Sequence, residues 1–61
     1  MNNLTELEVE NLRHLIGGHG LVVQKLEAYA HNCTDPELKT ILERDAQAAK
    51  QAQQQLMTFL G

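Results

Sequence analysis

The residues Thr34-Asp35-Pro36-Glu37 constrain this chain more than any others, because they divide it into two long runs of helical periodicity. Proline at the first turn of a helix loses no hydrogen bond, since its missing N–H would be unpaired there anyway. Thr34 or Asp35 offers a side-chain oxygen to the free N–H groups of that turn, and Glu37 sits favourably at the positive end of the helix dipole. Just upstream, Asn32 can adopt the left-handed conformation that often closes a helix. The stretch therefore ends one helix and starts the next within about three residues.

Each run has one apolar stripe. In the first run, Thr5 and Glu8 form a capping-box pattern, and apolar side chains recur at Leu12, Leu15, Ile16, Val22, Val23, Leu26, Tyr29, Ala30 and Cys33. In the second, Leu38, Ile41, Leu42, Ala48, Ala49, Ala52, Leu56, Phe59 and Leu60 share a face, with Lys39, Glu43, Gln47, Lys50, Gln54 and Thr58 away from it. The pattern predicts helix 1 over about 5–32, a turn at about 33–35 and helix 2 over about 36–60, with Gly61 as the stop. The "QAQQQ" run at 51–55 reads as a solvated helical flank.

Two long helices joined by a short turn make an antiparallel hairpin. Sixty-one residues are close to the least that can bury a core, and the lone Cys33 excludes an internal disulfide. The stripe of helix 1 spans nearly half its circumference, wider than one partner helix covers. The expectation is an all-α fold, a hairpin that pairs with a second copy in a homodimeric four-helix bundle. Leu12, Leu15, Gly18, His19, Val22, Leu26, Asp45, Ala48, Ala49, Ala52, Leu56 and Phe59 are the residues expected to pack in its core and dimer contact.

The sequence Gly17-Gly18-His19-Gly20 interrupts this scheme, since each glycine costs about 1 kcal/mol relative to alanine inside a helix. Antiparallel pairing sets Gly17, Gly18 and His19 opposite Ala48, Ala49 and Ala52, so that small residues face small residues. Close packing centred on Gly18 is the expected reason, with Gly17 and Gly20 nearer solvent and a kink at 17–20 as the variant. His19 and Asp45 both fall at the centre of the apolar stripes, where ionisable groups need partners. They lie about a turn out of level within one hairpin, so contact across a dimer or through water is favoured.

Net charge is −3, and the five Lys and Arg residues are scattered. With no positive face and two aromatic residues, the chain is not expected to bind nucleic acid. No stretch is long and apolar enough to span a membrane, and "MNNLTELEVE" reads as no targeting leader. A single thiol suits a reducing compartment. There is no Glu-x-x-His of the kind that builds carboxylate-bridged di-metal bundles. Glu10/His14 and Glu27/His31 are ordinary surface pairs, and one His and one Cys, His31 and Cys33, do not make a zinc site. No cofactor, metal or catalytic arrangement is expected, and the protein is read as non-enzymatic.

"KLEAYAHNCTDPELKTILERDAQAAKQAQQQLMTFL", and the opening "NLTELEVENLRHLI", resemble the small coat-protein-F-like spore coat proteins of spore-forming Firmicutes. The shared features are the "YA" late in helix 1, the "DPELK" helix start and the "LMTFL" near the end. The resemblance implies a ferritin-like helical fold and a structural role. It implies synthesis in the mother-cell cytoplasm, deposition on the spore, and other coat proteins as partners. This chain has one hairpin rather than four helices, and lacks the glycine- and tyrosine-rich tail that many coat proteins use for cross-linking. A ferritin-like protein holding a metal or small ligand beside His19 is the alternative.

Overall fold

A computed structural model describes residues 4–60, in which all regular structure is helical. Helix α1 runs Glu6–Asn32, α2 runs Pro36–Met57, and a short 3-10 turn, Thr58–Leu60, follows directly. The two long helices pack side by side as an antiparallel hairpin. The result is a slim rod of 46 × 15 × 11 Å. Gly61, the expected stop, lies outside the described residues.

Local chemistry sets each helix end. The Thr5 hydroxyl accepts from the Glu8 N–H at 3.1 Å, and the Glu8 carboxylate accepts from the Thr5 N–H at 3.0 Å, closing the capping box. Hydrogen bonding from Thr5, its backbone N–H first and its side chain second, favours the ionised carboxylate and holds Glu8 below its usual titration range. Asp35 is the cap of α2, accepting from Glu37 N–H at 2.9 Å and Leu38 N–H at 3.2 Å, with Pro36 at the first helical position. Asn32 does not take the left-handed conformation. It stays helical and donates its side-chain amide back to the Ala28 carbonyl at 3.0 Å, while the chain leaves through an extended Cys33. The turn is short enough that an extended exit suffices.

The glycines do not break α1, which continues as α-helix through 17–20. Their roles differ from the expected ones. A Cβ added at Gly17 or Gly18 would meet nothing within 4 Å, whereas one at Gly20 would lie 2.9 Å from the Gln53 side-chain nitrogen. Gly20 is thus the glycine that faces α2. Gln53 is turned inward, away from the solvated position expected for its run, and donates to the Ile16 carbonyl at 3.1 Å. The missing side chain of Gly20 leaves the space that this amide occupies.

The buried seam is thin. Val23, Ala30 and Ala46 are the buried hydrophobic residues among those described. Leu12, Ile16, Leu26, Leu42, Ala49 and Leu56 flank them half-buried. Among the described residues ten large apolar side chains remain exposed.

Candidate functional site

The two long edges of the hairpin differ in chemistry. On one side Glu27 and His31 of α1 border a groove with Lys39, Glu43 and Gln47 of α2. There Lys50 donates to the Glu27 carboxylate at 2.9 Å, the one ion pair among the described residues. Lys50, expected to point away from the hairpin, thus reaches across it, and it takes Glu27 in place of the expected Glu27/His31 pairing. Both partners are roughly half exposed, so the pair adds little stability.

The opposite side is apolar. Leu15, Gly18, His19 and Val22 of α1 border an open groove with Ala48 and Ala49 of α2. Farther along, Leu12 and Leu15 flank Phe59. The cause is heptad spacing. Residues seven apart on a helix drift by only about 20°, so a heptad series stays on one face. Leu15, Val22 and Tyr29 form such a series on α1, and Leu38, Asp45, Ala52 and Phe59 form one on α2. In a single hairpin all of these are exposed except Ala52, which is half-buried; Leu15, Val22 and Tyr29 are 49%, 48% and 58% exposed.

The residues expected in the core and dimer contact therefore divide into two sets. Leu12, His19, Leu26, Ala49, Ala52 and Leu56 are half-buried along the seam between α1 and α2. Leu15, Gly18, Val22, Asp45, Ala48 and Phe59 are exposed in one hairpin. Val23, Ala30 and Ala46 form the buried seam and were not among the expected contact residues. Their signal lies in a second heptad series, Val9-Ile16-Val23-Ala30 on α1 and Lys39-Ala46-Gln53 on α2, displaced around each helix from the first.

His19 contacts the Leu15 carbonyl through Nδ1 at 2.9 Å. A carbonyl can only accept, so Nδ1 carries the hydrogen and Nε2 is the ring's remaining nitrogen. Asp45 makes no ion pair or side-chain hydrogen bond among the described residues. It stands in the middle of an apolar heptad series without a partner among the described residues. Among the described residues no three His, Cys, Asp or Glu side chains converge on a common point. Cys33 is a half-buried free thiol, 3.5 Å from the Asp35 carbonyl at the turn. Among the described residues no helix is long and apolar enough to cross a membrane. No protein-family model, no curated protein and no solved structure matches the chain.

Proposed function

We propose that this is a non-enzymatic structural protein whose working unit is a self-associated helical bundle, two hairpins joined through their apolar sides. The observation that carries this reading is the uncovered side itself: Leu15, Val22, Tyr29, Leu38, Ile41 and Phe59 are exposed together. A compact monomer of 6.8 kDa exposes roughly 3,950 Å² by the usual scaling of surface with mass. This chain exposes 4828 Å², an excess of about 900 Å². A standard protein–protein interface buries about 800 Å² per partner. The surplus thus has the size of one interface. Sedimentation at micromolar concentration tests the reading: twice the chain mass is expected, and a cooperatively folded monomer would overturn it.

The biological setting follows from the resemblance to coat-protein-F-like proteins in "YA", "DPELK" and "LMTFL". We place the protein in the sporulating mother cell, as a ferritin-like bundle component of the spore surface beside other coat proteins. Immunolabelling of sporulating cells tests this, with signal around the forespore expected and uniform vegetative expression counting against it. A second reading rests on the groove beside His19: a ferritin-like metal or small-ligand site. Metal analysis of untagged protein separates the two. One ion per dimer, lost in His19→Ala, would favour the second.

A further inference from the structure

The apolar side is close to self-complementary. Its α1 series, Leu15-Val22-Tyr29, is centred on Val22. Its α2 series, Leu38-Asp45-Ala52-Phe59, is centred between Ala48 and Ala49, with large side chains at both ends and small or polar ones between. Val22, Ala48 and Ala49 border the same groove, which brings these two midpoints close together along the rod. An antiparallel hairpin does not require that coincidence. Series placed elsewhere on either helix would have had midpoints at different levels.

We propose that a second copy of this chain covers this side about a two-fold axis that lies in the interface and crosses the helices at Val22 and Ala48. Such an axis lays each helix antiparallel over its own copy, so residues equally far on either side of it meet. Val22 meets the partner's Val22, Leu15 meets the partner's Tyr29, and Leu38 meets the partner's Phe59. This inference rests on the self-association proposed above and adds its register and topology.

The same axis accounts for three features that one hairpin leaves unexplained. His19 and Asp45 are offset along the rod in their own chain, but they lie at nearly equal distances on opposite sides of the axis. Each His19 is brought level with the partner's Asp45, twice per dimer by symmetry. Nε2, the ring nitrogen that Leu15 does not engage, is the atom available for that contact, and it donates to the carboxylate in the imidazolium form, with Nδ1–H kept on Leu15. An aspartate in an apolar heptad series then gains a partner when it is covered. Among the described residues nothing beyond its own helical turn lies within 4 Å of the Gly18 Cβ position. Under this axis it lies opposite the partner's Lys25, on the same outer edge of α1, where the absent side chain leaves room for the lysine stem. The surplus surface of about 900 Å², set against a standard half-interface of about 800 Å², matches one covered side.

Cysteine cross-linking in a Cys33→Ser background tests the register. Val22→Cys should oxidise to a covalent dimer in high yield, and the control Gln54→Cys, away from the apolar side, should not. Leu15→Cys chains mixed with Tyr29→Cys chains should cross-link to each other and neither to itself. A two-fold axis running along the rod instead lays α1 over the partner's α2. It would leave Val22→Cys uncross-linked with itself while linking it to Ala48→Cys of another chain, and that result overturns the proposal. Sedimentation of the same variants separates the two levels. A monomer defeats self-association itself, whereas a dimer lacking the Val22 link defeats only the register. As an independent readout, His19→Ala and Asp45→Ala should weaken dimerisation non-additively, with coupling of about tenfold or more in Kd. Strict additivity would also overturn the pairing.

Discussion

Gly20 and Gln53 form a contact whose energy can be measured on its own. A methyl at residue 20 would sit 2.9 Å from the Gln53 amide nitrogen, so the amide must move, and its bond to the Ile16 carbonyl is lost. Two terms of similar size then oppose each other. Replacing a mid-helix glycine by alanine stabilises by up to about 1 kcal/mol. Losing a partly buried neutral hydrogen bond costs about 0.5–1.5 kcal/mol, at the low end here because the Ile16 carbonyl keeps its helical N–H donor. Gly20→Ala should therefore be close to neutral per chain. In a Gln53→Ala background the obstruction is gone, and the same change should stabilise by about 1 kcal/mol. Gly17→Ala, with open space around it, should give its full gain in both backgrounds. Urea unfolding followed by far-UV circular dichroism, at one fixed protein concentration, closes the double-mutant cycle. Equal stabilisation by Gly20→Ala with and without Gln53 would refute this coupling, because the amide would then hold nothing that the methyl disturbs.

Three further outcomes are expected from unfolding measurements at the same protein concentration. Asp35→Ala removes the acceptor for two N–H groups at the start of α2 and should cost about 0.5–2 kcal/mol, with Asp35→Asn close to wild type. Glu8 titrates below its usual range when folded, so its contribution is present above the unfolded carboxyl value of about 4.3 and is lost as pH falls through the lower folded value. Melts at pH 7 and pH 3 should show the wild type losing its advantage over Glu8→Gln on acidification, and an unchanged difference would refute this. Lys50→Met and Glu27→Gln should each change stability by less than about 1 kcal/mol, an effect that 1 M salt should largely remove.

The helices and caps were legible because their chemistry is local. Thr5 with Glu8, and Asp35 with Pro36 and Glu37, satisfy backbone groups within three residues of themselves, and no distant contact is needed to place them. The seam was harder to read because each helix carries two heptad series side by side. A helical wheel averages Ile16-Val23-Ala30 with Leu15-Val22-Tyr29 into one broad stripe and points its centre at His19. Only the packing separates the series that meets α2 from the one left uncovered. Gln53 was misplaced for a related reason. A glutamine inside a polar run looks solvated until a glycine on the facing helix gives its amide a carbonyl to reach.

The two halves of Gly17-Gly18-His19-Gly20 thus answer to different neighbours. Gly20 and Gln53 act within the hairpin, where the helices approach and an amide bridges them. Gly17 and Gly18 gain nothing there, since among the described residues no atom beyond their own helical turn lies within 4 Å of either Cβ position. At about 1 kcal/mol each relative to alanine, two such glycines are a standing cost to an isolated hairpin. His19 shares this divided position, with Nδ1 satisfied inside its own helix and Nε2 without a partner among the described residues. A cost left uncompensated in the monomer, beside a histidine nitrogen and an aspartate that find no partner among the described residues, has a physical rationale if the folded unit is larger than one chain. Gly18 then separates a solvent-facing apolar side from a covered one in a way that stability alone does not. If the apolar side faces solvent in the working protein, Gly18→Leu is harmless. If it faces a second copy in the register derived above, the leucine fills the space of the partner's Lys25 and the dimer weakens while each hairpin keeps its helices.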